Sequence, residues 1–220
     1  MKLYPLDPSS RLAINIRKIS KKLGIKVVVT KEENLDRMVV ITDGTPDDMV
    51  FAIISHHLNG DKTIRIVKPS VTRLDALDLI KTYLKLKINK IMFLIDQETD
   101  PLGQIFEKVK ERLSDMGISI DNEKEGHRFR IYECRHAGKL FKVIIVINGL
   151  DDIPTERHAI EDHLIKIAKI EVKGSSKTTW WNLNQDKRDE VFKILKKDEK
   201  AVKQIFPQQI EGCKYLMEEK

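Results

Sequence analysis

Hydrophobic and polar residues alternate along the middle of the chain in blocks that predict strands and helices in turn. Short apolar, β-branched runs occupy residues 38–42, 63–67 and 90–95, and each precedes a segment with apolar residues three or four positions apart. The runs are typical of buried strands and the longer spacing is typical of amphipathic helices. Three such β–α units in succession predict parallel strands joined by right-handed crossovers.

The same patterns predict the remaining elements of the chain. A helix at 9–23 and a short strand at 26–30 come first, and a hairpin at 129–135 and 140–147 follows the three units, whose helices span 46–57, 72–87 and 101–116. A helix at 154–168 and two or three short, lysine-rich helices complete the chain. We predict an α/β fold with a mainly parallel sheet of four or five strands and helices on both faces. The predicted domains are an N-terminal helix–strand extension (1–37), an α/β domain (38–170) and a helical C-terminal appendage (171–220).

The composition indicates an intracellular globular protein with anionic partners. Of the 220 residues, 41% are hydrophobic and 34% are charged, and the net charge is +6, which favours polyanions in a general way. No apolar run approaches the roughly 18 residues of a membrane span, and the N-terminus lacks a signal-peptide core. The two cysteines, Cys134 and Cys213, make neither a disulfide framework nor a metal motif. We therefore expect a cytoplasmic protein without a membrane partner.

Acidic residues follow two of the predicted strands directly. Asp43 and Asp47 come after the strand at 38–42, and Asp96, Glu98 and Asp100 come after the strand at 90–95. A single aspartate at such a place is commonly a helix cap. However, ligands of open α/β sheets bind beyond the carboxyl ends of the strands, and carboxylates placed there hold divalent cations against phosphates.

The order of these motifs resembles the Toprim domain over residues 38 to 168. This domain occurs in topoisomerases, bacterial primases, old-family nucleases and stand-alone archaeal proteins. It has an acid-Gly-x-x-Asp box after one strand, here residues 43–47, and an Asp-x-Asp motif two β–α steps later, here residues 96–98. The resemblance implies a Toprim-like fold that acts on nucleic-acid phosphodiester bonds.

The resemblance also implies the roles of individual residues. Asp43 would be the general acid or base, and Asp96 and Glu98, with Asp100 beside them and Asp47 from the first box, would bind Mg²⁺ or Mn²⁺. The chain departs from the family pattern, because the family has glutamate at position 43 and aspartate at position 98. A metal site tolerates such exchanges better than proton transfer does, so the sequence supports metal binding more strongly than catalysis.

Three further positions carry a functional interpretation beside a structural one. An acidic residue early in the 154–168 helix is a feature of the stand-alone relatives, and Glu161 is its counterpart, although an exposed helix face explains it equally well. Lys177 follows the last unit and is a candidate phosphate contact. The pair Trp180-Trp181 could stack on unpaired bases, but we favour an anchor that holds the C-terminal segment against the domain.

The leading functional interpretation is a Mg²⁺-dependent, nuclease-like enzyme. The alternative is a non-catalytic module that binds nucleic acid or protein and keeps a degenerate Toprim site. A small-molecule phosphotransfer enzyme would need a nucleotide pocket, and the sequence contains no glycine-rich phosphate loop. A homo-oligomer is compatible with all three interpretations.

Overall fold

The computed structural model describes residues 1–31 and 34–218. Residues 32–33 of the predicted N-terminal extension and residues 219–220 of the predicted C-terminal appendage lie outside these ranges. The strands of the described part are β1 (Lys2–Pro5), β2 (Met38–Ile41), β3 (Thr63–Val67), β4 (Lys90–Asp96), β5 (Ser119–Glu125), β6 (Phe129–His136) and β7 (Lys139–Asn148). The helices are α1 (Arg11–Leu23), α2 (Asp47–Leu58), a 3-10 helix (Arg73–Leu79), α3 (Ile80–Lys85), α4 (Leu102–Asp115), α5 (Ile160–Ala168), α6 (Ser176–Asn182), α7 (Gln185–Lys197), α8 (Glu199–Ile205) and α9 (Pro207–Met217).

The strands form one sheet in the spatial order β1-β3-β2-β4-β7-β6-β5. The first five strands in this order run parallel, and β6 pairs antiparallel with both β7 and β5. The α/β class and the mainly parallel sheet are therefore confirmed. The predicted number of four or five strands is wrong, because the sheet has seven in the described residues.

The sequence pattern misjudges the two edges of the sheet. Strand β5 is an edge strand whose side chains are nearly all polar, so it lacks the apolar run that identifies the central strands. Strand β1 has only four residues and pairs with β3. The predicted strand at 26–30 is wrong, because Val28 forms only an isolated bridge with Leu3.

Alternate side chains of the central strands face two separate hydrophobic cores. On one face, Val40 and Met92 belong to a core that includes Phe51 of α2. On the other face, Val39 and Phe93 belong to a core that the 3-10 helix, α3 and α4 cover. Because helices cover both faces, the side chains of the central strands are buried. The carboxyl ends of these parallel strands lie together at one end of the sheet.

Two predicted helices begin or wind differently in the structure. The segment at 72–87 starts as a 3-10 helix and becomes α-helical only at Ile80. The helix predicted at 154–168 begins at Ile160. Its first residues are extended instead, because His158 and Glu98 exchange backbone hydrogen bonds of 2.8 and 3.0 Å. This exchange ties the loop after β4 to the loop after β7.

The C-terminal helices pack on the sheet. Gly212 of α9 allows close approach, since a Cβ atom there would lie 2.6 Å from Cγ2 of Val146 and 2.9 Å from Cε of Met92. In the described residues, four helices follow α5, where two or three were predicted. The predicted domain boundaries stay a prediction. Among the helices of the described segments, none has both the length and the apolar character that a membrane crossing requires.

Candidate functional site

The carboxyl ends of the three central parallel strands bring polar side chains together. Asp43 follows β2 closely, Asp96 ends β4 and Asn148 ends β7. Asp96 and Asn148 are direct neighbours in the sheet. The first turns of two helices face the same edge and contribute Asp47 from α2 and Glu161 from α5. The crevice that the sequence predicts at this edge is therefore lined with carboxyl groups.

Asn148 connects two of these carboxyl groups. Its Nδ2 donates to Oδ1 of Asp47 at 2.6 Å and to Oδ1 of Asp96 at 3.1 Å. The backbone N–H of Ile160 also donates to Oδ1 of Asp96, at 3.1 Å. The Asn148 amide is oriented in turn by Gln209 of α9, whose Nε2 donates to its Oδ1 at 2.9 Å. The sequence pattern alone does not identify Asn148, although its place directly after an apolar run is the signal that could have done so.

Burial and mutual repulsion raise the pKa values of these acids. Burial is the largest cause for Asp96, whose pKa rises to about 7, and the charges of Glu161 and Asp43 add to it. Burial likewise raises the pKa of Asp47 well above its usual range, with Asp96 and Glu161 as the next causes. These carboxyl groups cannot all carry charge in a buried environment without a compensating cation or proton.

Glu161 has one satisfied and one free carboxyl oxygen. Its Oε1 accepts a hydrogen bond of 3.0 Å from the indole Nε1 of Trp181, while its buried Oε2 has no hydrogen-bond partner among the described residues. Burial raises the pKa of Glu161. The neighbouring Asp162 has a structural contact instead, because its Oδ2 accepts from Nδ1 of His158 at 2.7 Å and from the N–H of Leu150 at 3.0 Å.

Asp43 belongs to the acidic group, and Asp48 lies beside it in the first turn of α2. Oδ1 of Asp43 accepts the backbone N–H of Arg73 at 3.1 Å, and burial raises the pKa of Asp43 although Arg73 and Lys177 oppose the rise. Burial raises the pKa of Asp48 to about 6, against hydrogen bonds that include one from Asn15. Both groups therefore titrate nearer to neutrality than ordinary aspartates.

Glu98 and Asp100, which the sequence assigned to the metal, are paired with basic side chains. Oε2 of Glu98 lies 2.7 Å from a guanidinium nitrogen of Arg157, and Asp100 lies 2.7 Å from Arg73. Glu98 itself has a φ of +57°. The loop that carries it is held by the backbone bridge between Glu98 and His158. The structure thus groups Asp43, Asp47, Asp96 and Glu161, and it neutralises Glu98 and Asp100 with cations from distant segments.

Lys177 lies between the two sets of acids. Its ammonium group is 3.8 Å from Oε1 of Glu98, and its charge lowers the pKa values of Asp43, Asp96 and Glu161. About half of its side chain is exposed. It is therefore within electrostatic reach of the acidic group and of solvent, as a phosphate contact needs to be.

The donor atoms of the acidic group suit a hard divalent cation. They are carboxylate oxygens, the ligand type that Mg²⁺ prefers, and the free Oε2 of Glu161 is one of them. Across residues 1–31 and 34–218, no three or more His, Cys, Asp or Glu side chains are already grouped as ligands of one metal ion.

The fold and the site define an α/β protein with a buried acidic group at the carboxyl ends of its central parallel strands. Comparison of the chain with protein-family models, with curated proteins and with solved structures finds no significant match.

Proposed function

We propose that this protein is a Mg²⁺-dependent enzyme with a Toprim-like domain that hydrolyses phosphodiester bonds of nucleic acids. The observation that carries the proposal is the buried group of Asp47, Asp96 and Glu161 at the carboxyl ends of the central strands: burial raises all three pKa values, and the charge of Glu161 raises those of Asp47 and Asp96 further. Such a group costs folding free energy unless a cation compensates it. Perturbed carboxyl groups in a crevice are typical of functional sites.

Asp96, with Asp47 and Glu161 beside it, would hold the metal ion. Mg²⁺ commonly keeps several water ligands and binds through one or two carboxylates together with substrate phosphates. Bound there, Mg²⁺ would supply Lewis-acid polarisation of the scissile phosphate. Glu98 and Asp100 would contribute indirectly: their ion pairs would hold Arg157, Lys177 and Arg73 in position around the site.

Asp43 would transfer a proton in the reaction. A general acid or base works best when its pKa lies near the working pH, and burial raises the pKa of Asp43 in that direction. Its carboxylate is also fixed in place by the N–H of Arg73. These features support the role that the Toprim resemblance implies for position 43.

Basic side chains at the rim would receive the phosphate backbone. Lys177 and Arg157 flank Glu98, and Lys68 lies beside the loop after β2, with Nζ 3.6 Å from the Cβ position at Gly44. Cations around an acidic crevice attract a polyanion that the carboxylates alone would repel. The net charge of +6 acts in the same direction.

A cleavage assay on end-labelled single- and double-stranded DNA and RNA tests this function. We expect cleavage with Mg²⁺ or Mn²⁺ and none in EDTA. Asp96→Asn is expected to reduce cleavage to the EDTA level, and Asp43→Asn to slow it by about 10²–10⁴-fold. The matched control is Asp115→Asn, which changes an exposed carboxylate at the end of α4 and should cleave like the unmodified protein.

The second candidate function is a non-catalytic binding module with a degenerate site. The ion pairs of Glu98 with Arg157 and of Asp100 with Arg73 favour it, because they occupy one acid of the Toprim pattern and the acid beside it. Oligonucleotide binding that persists in Asp96→Asn, together with no turnover of any substrate under either metal, would decide for the module and against the enzyme.

A further inference from the structure

A pocket separate from the acidic group lies where α1, α6 and α7 meet the loop after β2. It has a volume of about 160 Å³, which is small for a drug-sized ligand but suits one planar ring. Its lining combines apolar residues with basic ones. The residues that matter for its chemistry are Arg11, Lys18, Thr45, Trp181 and Arg188.

The two adjacent tryptophans have different environments. Trp180 is fully buried and packs edge-on against Phe192 with ring centroids 5.7 Å apart, so it anchors α6 as the sequence indicated. Trp181 is 42% exposed and lines the pocket. The guanidinium of Arg188 lies over its ring at 5.3 Å from the centroid. An exposed ring beside a planar cation is a surface on which a nucleobase can stack.

Three basic side chains that line the pocket carry positive charge that no acidic side chain of the described residues pairs with. Within the described part of the chain, Arg11 and Lys18 form no ion pair, and Arg188 donates to neutral acceptors, the carbonyl of Trp181 at 3.0 Å and Oε1 of Gln185 at 3.2 Å. Lys22 does pair with Asp189. The three uncompensated cations therefore favour an anionic ligand.

The pocket shares a wall with the acidic group. The indole of Trp181 faces the pocket and donates its Nε1–H to Glu161. On the other side, Asn15 lines the pocket and donates to Oγ1 of Thr45 at 2.7 Å and to Oδ2 of Asp48 at 3.0 Å. A chain whose base enters the pocket would thus extend toward the carboxyl groups at the strand ends.

We propose that this pocket binds one unpaired nucleobase of a single-stranded nucleic acid, which stacks on Trp181 while Arg11, Lys18 and Arg188 contact the adjoining phosphates. The proposal rests on the proposed function and adds its substrate class, namely single strands or frayed ends. A base inside a duplex is already stacked and paired, so it cannot enter a pocket of this size.

The test is binding of short fluorescein-labelled oligonucleotides to the full chain in EDTA, where cleavage does not occur. We expect single strands to bind more tightly than the corresponding duplex. Trp181→Leu should weaken single-strand binding about 10-fold. Trp181→Phe keeps a ring but loses the contact with Glu161, so it should retain most of the affinity. Equal losses in both variants would overturn stacking as the cause.

Basic variants measure the phosphate contacts independently. Lys18→Gln should weaken binding and reduce the dependence of log K on log salt concentration by about 0.7. The matched control is Lys200→Gln, an exposed lysine of α8 that lies outside the pocket, and it should leave the salt dependence unchanged. Thermal melting of each variant identifies any that fails to fold, and the remaining variants then decide.

The outcomes separate this inference from the proposed function. If the protein cleaves with metal but the Trp181 and Lys18 variants bind oligonucleotides as tightly as the unmodified protein, the pocket proposal is wrong and the proposed enzymatic function stands. Binding that depends on both residues, without cleavage by any metal, would support the pocket and overturn the enzyme. Duplex binding that equals single-strand binding and depends equally on Trp181 would overturn the choice of substrate class.

Discussion

Asp96→Asn is expected to raise the melting temperature of the metal-free protein at pH 8 by roughly 4–8 °C, although it abolishes the proposed activity. The pKa of Asp96 rises from 3.8 to about 7, mainly through burial. Each pKa unit corresponds to about 1.4 kcal/mol, so the charge costs the folded state roughly 4 kcal/mol above pH 7. An asparagine still accepts from Asn148 and Ile160, and it should recover about half of that cost.

The pH dependence of this gain follows from the direction of the pKa change. Below the unfolded pKa near 4, both states are protonated and the charge costs nothing. Between about pH 4 and pH 7 the unfolded chain releases the proton first, so the folded protein loses stability as the pH rises. The advantage of Asp96→Asn should therefore be small at pH 4, grow up to pH 7 and stay constant above it.

Thermal unfolding at pH 4, 6 and 8, with and without Mg²⁺, measures both effects. The unmodified protein should gain stability from Mg²⁺ at pH 8, and Asp96→Asn should not respond. Asp115→Asn changes an exposed acid and should follow the unmodified protein throughout. A variant that is less stable than the unmodified protein at pH 8 would contradict a charge penalty at Asp96.

Gly149→Ala is expected to lower the free energy of unfolding by about 4 kcal/mol. Gly149 follows Asn148 with a φ of +127°. A Cβ atom there would lie 2.7 Å from Cβ of His158 and 3.0 Å from Nη1 of Arg128. Since the contact with His158 is to an atom fixed by the backbone, the strain cannot be relieved by a side-chain rotation.

Gly138→Ala is the matched control for this variant. Gly138 lies in the turn between β6 and β7 with a φ of +75°, and a Cβ atom there meets no described atom within 4 Å. It should cost only about 1–2 kcal/mol, the penalty of a left-handed backbone. Urea unfolding of both variants gives the comparison. Equal losses would show that the contact with His158 does not matter.

The central part of the fold could be predicted because the relevant signals are local. Strands β2, β4 and β7 are apolar runs, and α2 and α4 have helical spacing within a dozen residues. The edge strand β5 could not be predicted in this way, because its polar side chains are exposed and only its pairing with β6 makes it a strand. The start of α5 depends on a bridge to Glu98, some 60 residues earlier in the chain.

The candidate site follows the same division between local and long-range information. Asp43, Asp47 and Asp96 could be named because they follow strands that the sequence identifies. The partners of Glu98 and Asp100 come from Arg157 and Arg73, and no local pattern indicates such pairs. Asn148 became important only through contacts with α2, β4 and α9.

The contact between Gln209 and Asn148 has a consequence for the order in which a newly made chain becomes competent. Asp47, Asp96 and Asn148 are all synthesised well before α9. The Asn148 amide, which bridges the two acids, nevertheless takes its orientation from Gln209. Gln208 likewise donates to the carbonyl of Gly149 at 3.1 Å. An incomplete chain can therefore form much of the sheet, but the Asn148 amide between Asp47 and Asp96 lacks this orienting contact until α9 has been made.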